Sequence, residues 1–272
     1  MANNPDRFVF SLKTAYRYVN AGLLSTKRGD LPRACALKPR KGKGVEHRVD
    51  RTCRVGRTWE DYLKFVGEHP GVRVVEMDTV EGARGGKVLL TLLFNPFNFM
   101  PAFLVDAKTS ECVPEVFEAI VDTLKERYGE EGWREVFARL FPVILTDNGT
   151  ELSNPLAIGT SPGDGTRRTR VSYTRPYTAT DKAHVERNHE YIRRVVLKGE
   201  SFDSLSQTQV DLMMSHVNSY IRASLMDDDS HPCRTPYERF AFEYGEEIAR
   251  RLGIVPIPLR EVTLRPELLE VR

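Results

Sequence analysis

The feature that most constrains the fold of this chain is a short apolar run, Val143-Ile144-Leu145, which leads directly into Thr146-Asp147-Asn148-Gly149. An unbroken apolar run of this length is typical of a strand that is covered on both faces, and Asn-Gly supplies a turn after it. In an open α/β sheet, ligands bind in the crevice beyond the carboxyl ends of the strands. Asp147 is therefore predicted to lie at the functional edge of a sheet. The alternative is that Asp-Asn-Gly is only a solvated turn.

Two further acidic residues are predicted to lie near the same edge. Residues 73–80 have the pattern of a strand with Asp78 inside an otherwise apolar segment, and a buried carboxylate is costly unless it is paired or bound to a metal. Residues 181–194 have the pattern of a helix that carries Glu186, and 38 residues separate this glutamate from Asp147. These three carboxylates are therefore the candidate site residues.

Their order along the chain resembles the catalytic triad of retroviral-integrase-type cores, in which an aspartate of a first strand, an aspartate after a later strand and a glutamate on the next helix form one site. Thr79 after Asp78, Tyr177 before the helix and the segment from Asn218 to Phe240 make the chain similar to insertion-sequence transposases, nearest to the IS-thirty family. This resemblance implies that the catalytic residues and metal ligands are Asp78, Asp147 and Glu186. It also implies that the helix contacts DNA through Lys182, Asn188 and Arg193.

The order of the predicted elements is that of a ribonuclease-H-like fold, an α/β arrangement with a mixed five-stranded sheet flanked by helices. The apolar patterning predicts strands at 73–80, 87–94 and 99–105, helices at 113–128 and 133–140, the Asp147 strand, a strand at 169–173 and the Glu186 helix. Residues 159–168 are expected to form a flexible loop, and an insertion there explains why Asp147 and Glu186 lie a few residues further apart than is usual in the family.

The chemistry of the resembling family explains why carboxylates converge. Three ionised side chains in one pocket repel one another unless divalent cations neutralise them. Mg²⁺, with Mn²⁺ as a substitute, prefers hard oxygen ligands. Two such ions about 4 Å apart activate the attacking water or 3′-hydroxyl and stabilise the leaving 3′-oxygen. Asp78 is expected to bridge the ions, with Asp147 on one and Glu186 on the other.

Glu76 is the competing carboxylate, because it lies two residues before Asp78 and so projects from the same face of the strand. Asp78 is nearer the carboxyl end of the strand and has the shorter side chain. We therefore predict that Asp78 holds the metal and that Glu76 pairs with a cation. On the Glu186 helix, His184 and His189 are possible metal ligands, although a lone surface histidine usually is not one.

The charge distribution indicates a polyanionic partner, which we take to be double-stranded DNA. The net charge is only +2, yet residues 27–57 hold eleven lysines and arginines against three acidic residues, and residues 166–198 hold nine against three. Two basic segments on an otherwise acidic protein are an electrostatic footprint for nucleic acid. The alternative is a solvated linker and a charged helix face. The predicted DNA contacts in the first segment are Lys38, Arg40, Lys41 and Lys43.

The amino-terminal part is predicted to begin with a helix at 11–20, capped by Ser11 and stopped near Gly22. It resembles the recognition helix of a helix-turn-helix module, with Lys13 and Arg17 as DNA contacts. Only ten residues precede it, fewer than the supporting helices need, so a simple docking helix is the alternative. A short helix capped by Thr58 then delivers the chain to the core.

We predict four regions: 1–26, a partial helix-turn-helix-like segment; 27–70, a basic arm and connecting helix; 71–200, the catalytic core; and 201–272, a helical segment and a tail. The tail from 249 onward is expected to be a short strand or a partner-binding segment. In the region before it, Asn218 is expected to serve packing.

Composition excludes several classes of protein. No apolar run approaches membrane-spanning length and no signal peptide is evident, so a cytoplasmic, nucleoid-associated protein is expected. The four cysteines are scattered without a Cys-x-x-Cys pair, which argues against a disulfide framework or zinc knuckle. A partial metal site from Cys35, His47 and Cys53 is a weak alternative.

The sequence therefore predicts a metal-dependent DNA transposase that cleaves and joins strands, acting as a homo-oligomer on element ends and target DNA. Two alternatives remain. One is a non-catalytic DNA-binding regulator built on the same core, and the other is a nuclease of the same fold.

Overall fold

The computed structural model describes residues 12–26, 52–176, 178–226 and 233–270. The chain divides into two compact units, Met1–Arg48 and Val49–Arg272. The predicted DNA contacts in the basic arm lie outside the described residues, as do Ser11, Tyr177, Cys35 and His47.

In the first unit the structure describes one helix, α1 (Leu12–Asn20). Its end confirms the predicted stop, because Gly22 has a φ of 70° and the N–H of Leu23 returns to the carbonyl of Tyr18. Lys13 and Arg17 are exposed on this helix. Their predicted contact with DNA stays a prediction.

The second unit is built on a mixed five-stranded sheet with the strand order β3-β2-β1-β4-β5. The strands are β1 (Val74–Glu81), β2 (Val88–Phe94), β3 (Ala102–Val105), β4 (Val143–Thr146) and β5 (Arg170–Tyr173). β1, β2 and β3 pair antiparallel, whereas β4 runs parallel to β1 and β5 runs parallel to β4. The predicted ribonuclease-H-like sheet is therefore confirmed.

Helices flank the sheet, and the burial of its central strands requires this. Every residue of β2 and of β4 is buried, although successive side chains of a strand point to opposite faces. Both faces of the sheet are therefore covered. The helices of this unit are α2 (Trp59–Glu68), α3 (Cys112–Leu140), α4 (Pro155–Gly159), α5 (Ala183–Val195), α6 (Gln207–Ser219), α7 (Ala223–Met226), α8 (Pro236–Tyr244) and α9 (Glu246–Arg251).

Two of these helices test sequence predictions directly. α2 begins with a capping box in which Thr58 accepts from Asp61 N–H and the Asp61 carboxylate accepts from Thr58 N–H, as the sequence predicts. α3 spans both predicted helices, 113–128 and 133–140. They are separated by non-helical backbone at Gly129, whose φ is 74°.

The predicted packing role of the segment after α5 is confirmed. The Asn218 side chain accepts a hydrogen bond from Met100 N–H and donates to the Met100 carbonyl, so α6 fastens the chain just before β3. Phe240 of α8 stacks on Phe99 with ring centroids 3.8 Å apart.

The predicted strand near the carboxyl terminus is wrong. Residues 252–270 contain two turns of 3-10 helix, Leu259–Glu261 and Pro266–Leu269, and no strand. Their backbone donors are satisfied by α6 side chains instead, since Val255 N–H donates to Ser215 and Thr263 N–H donates to His216. The alternating apolar residues pack this tail on the core without pairing it to the sheet.

Candidate active site at the carboxyl ends of β1 and β4

Asp78 and Asp147 lie side by side because β1 and β4 are parallel neighbours. Met77 pairs in register with Thr146, and each is followed directly by one of the two aspartates. Asp147 follows the last residue of β4, whereas Asp78 lies within β1, which continues to Glu81. The Asp78 side chain is 16% exposed and that of Asp147 is 45% exposed. The pair therefore opens to solvent on the Asp147 side.

Both carboxylates converge on the ammonium group of Lys182. The Lys182 Nζ lies 3.2 Å from Asp78 Oδ1 and 3.9 Å from Asp147 Oδ2, and it donates a hydrogen bond of 3.1 Å to the Met77 carbonyl. Lys182 is only 5% exposed. Its predicted contact with DNA is therefore not available in this arrangement, because the side chain is turned into the protein.

Burial raises the pKa of the Asp78 carboxyl above its ordinary value. The Lys182 ammonium acts against this rise, whereas the negative charge of Asp147 adds to it. The ammonium is therefore the group that makes two neighbouring carboxylates tolerable at this edge of the sheet.

Glu76 caps the helix that carries Lys182 and Glu186. It is 3% exposed, its Oε2 accepts from Val185 N–H at 2.9 Å, and its Oε1 accepts from Asn95 Nδ2 at 2.5 Å. α5 has no side-chain cap of its own at Lys182, so this strand carboxylate satisfies a free donor at the helix amino terminus. The predicted cation partner of Glu76 is thus replaced by N–H donors. Burial raises the pKa of Glu76, and these hydrogen bonds partly offset the rise.

Glu186 does not stand in contact with the two aspartates. It lies in the first turn of α5, one turn after Lys182, and its side chain is exposed. Lys182, by contrast, is the N-cap of α5, has non-helical backbone and is buried. Within the described residues, no three His, Cys, Asp or Glu side chains are grouped closely enough to hold a metal ion.

The donor set of the aspartate pair fits a divalent cation. Two carboxylates already converge on one positive group, and carboxylate oxygens are the ligands that Mg²⁺ and Mn²⁺ prefer. Asp78 and Asp147 are therefore the residues that would hold an ion, with Glu186 as a third ligand that this arrangement leaves apart.

His189 is fixed by hydrogen bonding to the sheet. The Thr91 hydroxyl donates to the Asp78 carbonyl and lies 2.9 Å from His189 Nε2, so the ring nitrogen is the donor of this second bond. Burial, together with the charges of Lys182 and Arg193, lowers the pKa of His189 to about 4. His189 is therefore a neutral structural donor, and Nε2 is not free to bind a metal.

The remaining predicted residues of α5 also contact protein groups. Asn188 is buried and donates to the His184 carbonyl, while Arg193 donates to the Glu81 carbonyl at the end of β1. His184 is exposed. The apolar side chains of Val185, Ile192 and Val196 are buried.

Glu151 is a residue of this region that the sequence patterns did not indicate. It is 3% exposed, accepts from the Thr79 hydroxyl at 2.9 Å, and lies 3.2 Å from Lys108 Nζ. It thereby ties the turn after Asp147 back to β1 beside Asp78. The carboxylate also lies close to Gly149, where a Cβ would be 2.6 Å from it.

Part of the second basic segment is neutralised within the protein. Arg168 is buried and pairs with Glu118, and Arg175 pairs with Asp181 through two nitrogens. A cavity of about 330 Å³ borders the turn after Asp147 and is lined by Arg54, Trp59, Asn148, Tyr173 and Arg175, among others. The basic side chains that face a partner are therefore fewer than the sequence suggests.

No protein-family model matches this chain, and no curated protein is similar to it in sequence. Among solved structures, the catalytic core domain of BIV integrase is similar over 63% of this chain and 95% of that chain, with 15% identity and a TM-score of 0.37. A simian T-cell lymphotropic virus intasome in complex with PP2A regulatory subunit B56 gamma is similar over 61% of this chain and 52% of that chain, with 14% identity and a TM-score of 0.37. Identities and TM-scores this low do not bear on function.

Proposed function

We propose that this chain is a metal-dependent enzyme that cleaves and joins DNA strands, of the transposase and integrase type. The observation that carries the proposal is the convergence of Asp78 and Asp147 on one cation at the carboxyl ends of two adjacent parallel strands. Ligands bind at this edge of α/β sheets. Two ionised carboxylates this close together repel each other and destabilise the fold unless the site also contains a positive charge.

Asp78 lies on the central strand of the sheet, and its carboxylate accepts a hydrogen bond from the Thr79 N–H. Asp147 is held by the Gly149 N–H, which donates to its Oδ1. Glu186 is proposed as the third ligand. The Mg²⁺ or Mn²⁺ ions held by these residues would supply activation of water or a 3′-hydroxyl and stabilisation of the leaving 3′-oxygen.

DNA is the proposed substrate because of the two basic segments. The cavity beside Asn148, with arginine and aromatic side chains in its wall, offers room for a strand next to the pair. Action at two element ends suits a homo-oligomer, which is part of the same proposal.

The experiment is a cleavage and joining assay with candidate element ends and Mg²⁺ or Mn²⁺. Asp147→Asn and Glu186→Gln are each expected to abolish cleavage while fold and DNA affinity are retained, because each change keeps the shape and removes a charge that holds the ion. Asp122→Asn, which alters an exposed carboxylate of α3, is the matched control and should retain activity. Cleavage by the Asp147 variant would refute the proposal.

A second candidate is a non-catalytic DNA-binding protein. The observation that favours it is the Lys182 ammonium, which neutralises the aspartate pair while Glu186 stands apart. This candidate predicts DNA binding without cleavage at any concentration of divalent ion. A nuclease of the same fold would cleave without joining, so the same assay separates all three.

A further inference from the structure

We propose that Lys182 is the resident counter-cation of the Asp78–Asp147 pair, and that a divalent metal ion binds the pair only by displacing the Lys182 ammonium. The inference rests on the proposed function solely in taking this pair as the metal site. It makes Lys182 a positioning residue that sets the affinity for metal.

The contacts of Lys182 account for its burial. A lysine that is 5% exposed is tolerated when its charge is paired and its donors are used. Here the ammonium has two carboxylates and the Met77 carbonyl as partners. It lies where the oxygens of both aspartates converge, so a metal ion bound to both requires the same place. Two cations cannot share it, because like charges at that separation repel.

The surrounding structure permits the exchange without leaving a buried group unpaired. The Met77 carbonyl also accepts a hydrogen bond of 3.2 Å from the Thr146 hydroxyl, and it keeps this donor when the ammonium leaves. The start of α5 stays fastened by Glu76, which accepts from Val185 N–H independently of Lys182. Asp147 is 45% exposed, so the flexible lysine side chain has a route to solvent on that side.

After displacement by the metal ion, the Lys182 ammonium is expected to contact DNA. Once outside the pair, it lies at the rim of the site, one helical turn from Glu186, where it can contact a phosphate of bound DNA. Binding of metal would then raise the affinity for phosphate, and binding of phosphate would raise the affinity for metal. This gives the buried lysine the DNA contact that its present position excludes.

Metal binding measured without DNA tests the inference. Lys182→Met keeps the length of the side chain and removes its charge, so Mn²⁺ titrated calorimetrically should bind this variant about tenfold more tightly or better than the parent. Metal-free Lys182→Met should also melt at a lower temperature and gain more from Mn²⁺, because its two carboxylates lack a cation. Lys182→Gln, which retains a donor without charge, should behave like Lys182→Met.

Lys87→Met is the matched control. Lys87 is a lysine directly before β2 that pairs with the exposed carboxylate of Asp106 rather than with the aspartate pair, so its loss changes the net charge equally. Mn²⁺ affinity of this variant should stay within about twofold of the parent. An equal gain in both variants would show a general effect of charge and would overturn the inference, as would unchanged or weaker binding by Lys182→Met.

A measurement on the unaltered protein covers the case in which the variants do not fold. Acetylation of Lys182, followed by mass spectrometry, should be slow without metal and at least several-fold faster with saturating Mn²⁺, while Lys87, which pairs with the exposed Asp106, should react similarly in both. An unchanged rate at Lys182, or no binding of Mn²⁺ at all, overturns the inference. Tighter metal binding by Lys182→Met without any DNA cleavage would uphold it and refute the proposed function.

Discussion

Glu76 and Asp78 show how two carboxylates on one strand take different roles. Glu76 is enclosed and meets two N–H donors, whereas Asp78 reaches the open end of the sheet and meets an ammonium and a second carboxylate. The sequence ranked Asp78 as the metal ligand by its position near the strand end, and that ranking stays a prediction. No local pattern indicates that Glu76 caps a helix more than 100 residues later, because that contact depends on how α5 packs against β1.

We predict that Glu76→Gln lowers the free energy of unfolding by about 1–3 kcal/mol, because the amide presents only one acceptor oxygen to two donors. Urea denaturation measures this change. Measurable cleavage should remain in Glu76→Gln, whereas Asp78→Asn should have none at any metal concentration. If both variants fold and Asp78→Asn cleaves DNA while Glu76→Gln does not, the metal is held by Glu76 and not by Asp78.

His189 should make stability depend on pH. Its pKa is lowered to about 4 from an ordinary 6.5, so the unfolded chain takes up the proton at a higher pH than the folded protein does. Its contribution is complete above pH 6.5 and is lost as the pH falls toward 4, with a total of up to about 3 kcal/mol.

His189→Gln tests this, because glutamine can still donate to Thr91 but does not titrate. We expect the difference in unfolding free energy between the parent and this variant to shrink steadily from pH 7 to pH 4. The raised pKa values of Glu76 and Asp78 act in the opposite direction, but they are common to both proteins. A difference that is constant with pH would show that His189 titrates normally in the folded state.

At the scale of elements, the turn after β4 depends on a close approach at Gly149. Its φ of −59° is ordinary, so the requirement for glycine comes from space and not from backbone strain. A Cβ would lie 2.6 Å from the Glu151 carboxylate, which anchors the turn to Thr79 and Lys108.

Gly149→Ala is therefore expected to cost about 1–3 kcal/mol and to reduce cleavage by displacing Asp147. Gly163→Ala is the control, since a Cβ at that position has no neighbour within 4 Å and should change stability by less than about 0.5 kcal/mol. Thermal unfolding measures both. If the two substitutions change stability equally, the Glu151 side chain moves away from the new Cβ without displacing the turn.

The sequence predicted best those elements whose buried residues form a pattern that is visible within a short stretch of the chain. The fully buried strands β2 and β4 are examples, and their bounds differ from the predictions by a few residues at most. Of the two alternatives for the tail, the strand is wrong because alternating apolar residues also suit an irregular segment that packs on α6. The partners of Lys182 and Glu151 were not predictable, because they come from strands far away in sequence and depend on register.

At the scale of the whole molecule, net charge understates how unevenly the charges are distributed. In the second basic segment, Arg168, Arg175 and Lys182 are paired with acidic groups of the protein, so their charges are already partly neutralised. The first basic segment therefore becomes the stronger candidate for contacts with phosphate.

No helix in the described part of the chain could cross a membrane.

The affinity for DNA should consequently depend on salt mainly through the first basic segment. Replacing Lys38, Arg40, Lys41 and Lys43 with glutamine is expected to flatten the plot of log affinity against log salt by roughly 0.9 for each phosphate that is no longer neutralised, because fewer counterions are released. Fluorescence anisotropy with a labelled duplex at several salt concentrations measures the slope. Replacing Arg260 and Arg265, which are exposed in the tail, removes charge elsewhere and should leave the slope unchanged. If the slope is instead the same in the parent and in the fourfold variant, these four residues do not contact DNA, and the phosphates must be bound by other cations of the chain.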